Sequence, residues 1–283
     1  MSISGSAKLA GVLGWPVSHT LSPRLHGYWL EHYDIDGAYV PLPVRPENFS
    51  NAVRALGDLG FRGANVTVPH KETAFAAMDD VSDMAKTLRA INTIVIADDG
   101  TMFGDNTDGY GFMESLRAGA AGIELQDQPV VVLGAGGASR AIVAALLTDG
   151  AGEVRVFNRT LERAEALAKD IGGAVRPEPM SALAGAIADA ALLVNTTSLG
   201  MIGHAPLEID ISALPSDAVV ADIVYSPLET DLLKQARTQG HRVVDGLGML
   251  LHQARPAFAA WFGIDPEVTP ELRAAALVNQ NVQ

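Results

Sequence analysis

The run Val130-Val131-Val132-Leu133, followed at once by Gly134, Gly136 and Gly137, constrains the fold of this chain more than any other feature. Four consecutive apolar residues suit a strand buried on both faces. Glycines after it let the backbone turn tightly and let a pyrophosphate approach with no β-carbon in the way. Ala138-Ser139 then opens a helical pattern over residues 138–147, whose free N–H groups would face the phosphates. The spacing Gly-x-Gly-Gly differs from the commonest Gly-x-Gly-x-x-Gly, and a glycine cluster alone can be no more than a tight turn. The strand before it and the helix after it select the dinucleotide reading, with Gly134, Gly136, Gly137 and Ala138 as phosphate contacts.

The rhythm continues with strand 154–158, helix 161–169, strands 191–195 and 219–223, helix 228–239 and strand 242–245. Apolar central strands alternating with helices predict an α/β fold with a Rossmann-like, doubly wound parallel sheet over residues 111–245. The end of its second strand specifies the cofactor. An NAD site commonly carries Asp or Glu there, which accepts from the ribose 2′-hydroxyl. Here the chain reads Phe157-Asn158-Arg159-Thr160, with Arg163 one helical turn on. A carboxylate would repel a 2′-phosphate, whereas Arg159 offers a planar fork of donors and Asn158 and Thr160 add neutral ones. The bland alternative makes Arg159 and Arg163 solvated surface charges; their position favours NADP.

Residues 1–110 read as a second α/β domain. Strands 8–13, 38–42, 63–68 and 91–97 alternate with helices 25–32, 49–59 and 71–78. Some connections are short, so a sheet of mixed strand direction is expected. Ser22 is placed as a helix cap before Pro23. Asp98-Asp99-Gly100 is placed as a turn, and the glycine-rich polar stretch 103–111 as the exit from the domain, leading to helix 112–116. After Asp245, Gly246-Leu247-Gly248 leads into helices 249–262 and 270–277.

Three polar clusters lie outside the phosphate loop. The hydroxyls of Ser18 to Ser22 suit a polyol or carboxylate, or serve only as turn caps. In Asn65-Val66-Thr67-Val68-Pro69-His70-Lys71, strand alternation puts Asn65 and Thr67 on one face, with Lys71 in the turn beyond. The third cluster is Gly104-Asp105-Asn106-Thr107-Asp108-Gly109. A lysine and an aspartate held in a cleft could move a proton at a substrate hydroxyl while a cofactor handles the hydride. Taken in isolation, either could be a surface group.

Composition narrows the partners. A formal net charge of −13 disfavours nucleic acid and anionic membranes, so a phosphate-bearing ligand needs a local basic site. The absence of cysteine removes disulfides, thiolate metal sites and cysteine nucleophiles, and fits a reducing compartment. The short polar start carries no export signal and the apolar runs are too short to span a bilayer, so a cytoplasmic location is expected. The histidines show no metal-ligand spacing. Phe157, Trp261 and Phe262 read as packing aromatics.

An ordered set of segments resembles the shikimate dehydrogenase family, including the quinate/shikimate dehydrogenases. It runs from Gly14-Trp15-Pro16-Val17-Ser18-His19-Thr20-Leu21-Ser22-Pro23 with His26, through Asn65 to Lys71, Ile91-Asn92-Thr93 and Gly104 to Gly109. It continues with Gly134 to Arg140, Asn158-Arg159-Thr160, Asn195 to Met201, Asp222 to Pro227 with Thr230, and Gly246 to Leu250 with Gln253. The resemblance implies reversible reduction of 3-dehydroshikimate to shikimate by NADPH, with Lys71 and Asp108 as the catalytic pair between two domains. It implies that Thr20 and Ser22 bind the substrate carboxylate, that Asn65, Thr67, Asn92, Asp108 and Gln253 hold ring hydroxyls, and that Tyr225 helps close the pocket. Thr197 and Gly246 join the cofactor contacts. The C-terminal helices, 246–283, would return to complete the N-terminal domain, in a monomer or homodimer. Thr20 stands where the family more often has serine, and Gly27 where asparagine is common after His26. The added methyl at Thr20 leaves shikimate against quinate preference open.

Overall fold

Residues 3–277 are described by a computed structural model; residues 1–2 and 278–283, the latter expected with the C-terminal helices, lie outside the described residues. The chain divides into two units. One runs through Thr107 and resumes at Gln253, and the other is Asp108–His252.

The first unit opens as a parallel array. Strands β1 (Lys8–Gly14), β2 (Gly37–Pro43) and β3 (Phe61–Val66) are joined by helices α1 (Ser22–His32) and α2 (Phe49–Asp58). After it come α3 (Lys71–Phe75), β4 (Asp80–Val81), α4 (Asp83–Leu88), β5 (Thr93–Ile96) and β6 (Met102–Asp105). The sheet order is β2-β1-β3-β5-β6-β4, with β5 antiparallel to both neighbours, so the sheet is mixed as expected. The chain leaves the first unit after Thr107, within the 103–111 stretch read as its exit, but β6 occupies the start of that stretch, a strand the sequence reading did not place. Its glycine marks close packing, since a β-carbon on Gly104 would lie 2.7 Å from Met78 Cγ. The turn at Asp98-Asp99-Gly100 does join the β5–β6 hairpin, with Gly100 at φ +86°.

One core of this unit holds Leu13, Phe49, Val53, Leu56, Val66 and Ile94. A group of rings, Trp29, Phe258 and Trp261, ties the C-terminal segment to it. The Trp261 indole donates to Ile94 O at 2.9 Å, and that of Trp29 to Glu267 O at 3.0 Å. Gly63 is required there: at φ +154°, a β-carbon would sit 2.0 Å from Ile94 O and 2.2 Å from Trp261 Nε1.

The second unit is α5 (Asp108–Gly119), β7 (Pro129–Leu133), α6 (Gly137–Thr148), β8 (Glu153–Phe157), α7 (Leu161–Ile171), β9 (Val175–Glu178), α8 (Leu183–Ala186), β10 (Leu192–Asn195), β11 (Val219–Asp222), α9 (Asp231–Thr238) and β12 (Arg242–Val244). Helix α10 (Gly246–Phe262) starts in this unit and ends in the first, followed by α11 (Pro270–Leu277). The sheet, β12-β11-β10-β7-β8-β9, is wholly parallel, as expected. Val130 and Val132 pack into one core with Phe112, Leu116 and Ile142; Val131 and Leu133 pack into another with Phe157, Ile187 and Leu232. Burial on both faces is why the β7 run is continuously apolar.

Several ends differ from the sequence expectation. Ser22 is the first residue of α1 and makes no side-chain cap; Leu21 occupies the cap. Helix α5 starts at Asp108 rather than 112. Helix α9 starts at Asp231 rather than 228, because the Thr230 hydroxyl accepts from Leu233 N–H. Strand β9, with its internal Pro177, escaped the reading because it is an edge strand. No helix among the described residues is long and apolar enough to cross a membrane.

Candidate functional site

In the second unit, the strand order reverses between β7 and β10, and ligands of such sheets bind beyond the carboxyl ends of strands at that point. Register aligns Leu133 with Phe157 on one side and with Asn195 on the other. Gly134, Asn158 and Thr196, one residue further on each strand, therefore share an edge.

Gly134 sits at φ +110°, and a β-carbon on it would lie 2.6 Å from Thr196 Oγ1. Gly136 is the extended residue before α6, and Gly137 is its first helical residue. A β-carbon at either would meet nothing within 4 Å, so these glycines leave open backbone rather than relieve internal crowding. A one-way hydroxyl chain holds the loop. Thr196 Oγ1 donates to Leu133 O at 2.7 Å, and so must accept from Ser139 Oγ at 2.6 Å. Ser139 then accepts from Gly136 N–H at 3.0 Å. The Gly136 amide is thereby spent inside the loop. The N–H groups of Gly137 and Ala138, in the first turn of α6, have no intrahelical acceptor, an arrangement that suits an anion.

Beside this loop is a cavity of about 470 Å³ lined by Gly134, Asn158, Arg159, Thr160, Arg163 and Thr197, among others. Nearby arginines are committed: Arg140 pairs with Asp170 at 2.7 Å, and Arg155 with Glu153 and Asp189. Arg159 and Arg163 are exposed on the cavity and carry no ion pair among the described residues. Two unpaired guanidiniums, with no carboxylate lining the cavity, fit a 2′-phosphate. One proton of Asn158 Nδ2 is donated to Thr160 O at 2.7 Å and shapes the turn, which leaves its second proton as a neutral donor.

Thr197 is held from behind. Its N–H and hydroxyl both donate to Asn195 Oδ1, at 3.0 and 2.7 Å, and Asn195 Nδ2 donates to Asp222 Oδ1 at 3.0 Å. Burial pushes the Asp222 carboxyl above its ordinary range, opposed by donors from Val224 N–H, Thr230 and Asn195. Burial likewise raises the Tyr225 phenol. Gly246 opens α10 against the chain at Ile223, whose carbonyl oxygen would be 2.1 Å from a β-carbon. Asp108, buried, is the first residue of α5, and Gly109 lets that helix approach α6, with Ala141 O 2.7 Å from its absent β-carbon.

In the first unit, three expected residues form one hydrogen-bonded chain. Tyr39 Oη donates to Asn65 Oδ1 at 2.6 Å, and Asn65 Nδ2 donates to Thr93 Oγ1 at 3.3 Å and to Asn92 O at 3.2 Å. Thr93 Oγ1 donates to Asn92 Oδ1 at 3.0 Å, and Asn92 Nδ2 donates to Gln253 Oε1 at 3.3 Å. Thr107 clamps the far end, donating from N–H to Asn92 Oδ1 at 2.9 Å and from Oγ1 to Gln253 O at 2.8 Å. The sequence reading named Asn65, Asn92 and Gln253 but assigned no role to Tyr39, Thr93 or Thr107. Thr93 and Thr107 stood inside the motifs; Tyr39 had no motif to mark it.

The remaining expected residues have local settings. Thr20 Oγ1 donates to Ser22 Oγ at 3.2 Å and accepts from Ser22 N–H at 3.3 Å. Thr67 lies just past β3, with its N–H on Leu13 O at 2.9 Å. Lys71, beyond the strand, is the first residue of α3, where the helix was expected to start, and His70 before it is buried against Phe49 with Nε2 2.8 Å from Val44 O. Chemically, this unit offers neutral amides and hydroxyls for a polyhydroxylated ligand. The other offers helix N–H groups and guanidiniums for phosphates.

Residues 12–94 match the shikimate dehydrogenase substrate binding domain, 117–205 the shikimate/quinate 5-dehydrogenase model, and 246–276 the shikimate 5′-dehydrogenase C-terminal domain. The chain is 54% identical over 275 residues to the shikimate dehydrogenase (NADP(+)) of Paramagnetospirillum magneticum, spanning 97% of this chain and 100% of that protein. A quinate dehydrogenase from Corynebacterium glutamicum in complex with NAD superposes with TM-score 0.89 at 33% identity, over 95% of this chain and 98% of that one. The Thermus thermophilus shikimate 5-dehydrogenase in complex with NADP(H) and shikimate gives TM-score 0.84 at 38% identity, over 95% and 98%. This chain belongs to the shikimate dehydrogenase family.

Proposed function

We propose that this protein is an NADP-dependent shikimate dehydrogenase, catalysing the reversible reduction of 3-dehydroshikimate to shikimate. The observation that carries the reading is the pairing of two chemistries in one chain: unpaired arginines on a dinucleotide cavity, and a chain of side-chain amides suited to ring hydroxyls. Gly134, Gly136, Gly137 and Ala138 cradle the pyrophosphate. Arg159 and Arg163, with Asn158 and Thr160 shaping the turn, take the 2′-phosphate, and Thr197 and Gly246 line the remainder of the cofactor site. The bound nicotinamide supplies or accepts the hydride.

In this reading Thr20 and Ser22 hold the substrate carboxylate, and Asn65, Thr67, Asn92 and Gln253 hold the ring hydroxyls. Tyr225 closes the pocket. Lys71 donates the proton to the alkoxide developing at C3 and removes it in the reverse direction. Asp108 binds the same hydroxyl and orients Lys71. The reading carries with it a small-molecule substrate, a cytoplasmic location and a monomeric or homodimeric state.

The alternative substrate is quinate, whose extra hydroxyl on the carboxylate-bearing carbon makes the pocket volume beside Thr20 and Ser22 decide between the two. Initial-rate kinetics with shikimate and quinate, each paired with NADP and NAD, test both readings. The highest kcat/KM is expected for shikimate with NADP. Dominance of quinate with NAD would overturn both the substrate and the cofactor assignments.

A further inference from the structure

The residue at the head of the amide chain has no place in the reaction as described above. Tyr39 is buried on β2, its ring stacked on His26 at 4.0 Å with an interplanar angle of 5°. Its hydroxyl meets Asn65 Oδ1 at 2.6 Å. On the other side of the same amide, Asn65 Nδ2 faces the Asn92 carbonyl, an obligate acceptor, which fixes the amide's orientation. Tyr39 is therefore the donor on Oδ1, and burial raises the phenol far enough that it stays protonated at any working pH. From Asn65 the order of donors runs in one direction to Gln253, through Thr93 and Asn92.

We propose that Tyr39 is a positioning residue for the substrate site: its hydroxyl locks the Asn65 amide and, through Thr93, sets the orientation in which Asn92 and Gln253 meet the ring hydroxyls. This rests on the reading that Asn65 binds substrate. Without the phenol proton, Oδ1 is left buried and unpaired, and Asn65 shifts to find another donor. The loss falls on substrate binding, because nothing in the chain from Tyr39 to Gln253 belongs to the dinucleotide unit.

The test is a double-mutant cycle of Tyr39→Phe and Asn65→Ala, read as kcat/KM for shikimate and KM for NADP. Tyr39→Phe keeps the ring on His26 and removes only the donor. It is expected to lower kcat/KM for shikimate about ten-fold, to leave KM for NADP unchanged, and to cost nothing further once Asn65 is Ala. Equal, multiplying losses in both backgrounds would make Tyr39 merely structural and overturn the inference, as would a Tyr39→Phe enzyme with unaltered shikimate kinetics beside an impaired Asn65→Ala. An Asn65→Ala enzyme with normal shikimate kinetics would instead refute the underlying role of Asn65. If Tyr39→Phe fails to fold, Thr93→Val cuts the same chain one link on. It must then raise KM for shikimate without touching NADP, and a normal value rejects the proposal.

Discussion

His26 is surrounded by rings: Tyr39 stacks on it, and Trp29, Phe258 and Trp261 lie with centroids 5.7, 5.9 and 5.7 Å away. It is fully buried, and neither ring nitrogen meets a partner in hydrogen-bond geometry among the described residues. Burial pushes its pKa down from 6.5 to about 3, with the neighbouring Asn65 side chain opposing only part of the shift. The folded state therefore binds this proton more weakly than the unfolded chain. Stability is fully present above pH 6.5 and falls as pH drops from there toward 3, with a slope approaching about 1.4 kcal/mol per pH unit. Between pH 7.5 and 5.0 the imidazole alone should cost about 2 kcal/mol. His26→Leu removes the titration. Its packing consequence is an offset that does not vary with pH, so the comparison rests on the slope. All three tryptophans, Trp15, Trp29 and Trp261, belong to the first unit, so urea unfolding followed by tryptophan fluorescence reports on the unit that contains His26. The wild-type unfolding free energy should fall by about 2 kcal/mol more than that of His26→Leu between the two pH values. Parallel pH dependence of the two proteins would refute the reasoning, because it would mean that the folded imidazole titrates as it does in the unfolded chain.

Three further outcomes follow from the site. Arg159→Ala should weaken NADPH binding about ten- to a hundred-fold, the worth of a charge-assisted contact, while NADH binding stays nearly unchanged; equal losses measured by calorimetry would make Arg159 structural. Ser139→Ala frees the Gly136 amide and breaks the hydroxyl chain to Thr196, so NADPH and NADH should weaken by the same factor, about ten-fold; a loss confined to NADPH would place Ser139 at the 2′-phosphate instead. Lys71→Ala should lower kcat by about 10²–10⁴ with the dissociation constant for NADPH intact, and an equal loss in both would reject a proton-transfer role.

Much of this was legible from local patterns. The β7 run, the glycines and α6 stand together in sequence because the phosphate loop is a contiguous strand–turn–helix unit, and Arg159 follows at the end of the paired strand for the same reason. Elements with mixed signals were harder to read. Met102–Asp105 carried no strand signal because Gly104 and Asp105 interrupt the apolar pattern, and pairing with β5 supplies the strand's stability. Ser22 looked like a cap because serine before proline is a local signal, but the helix starts one residue earlier than that signal says.

By itself, the sequence determined the parallel α/β character of the second unit, the glycine turn between β7 and α6, the NADP preference and the polar residue types of the proposed substrate site. Only the tertiary structure decided which of those polar groups are already spoken for. Ser139 meets Thr196 across 57 positions, Tyr39 meets Asn65 across 26, and Asn92 meets Gln253 across 161. Each donor proton can be given only once, so whether an amide or hydroxyl is offered to a ligand depends on partners that sequence spacing does not reveal. The guanidiniums of Arg140 and Arg155 are consumed in this way by distant carboxylates, and those of Arg159 and Arg163 are not.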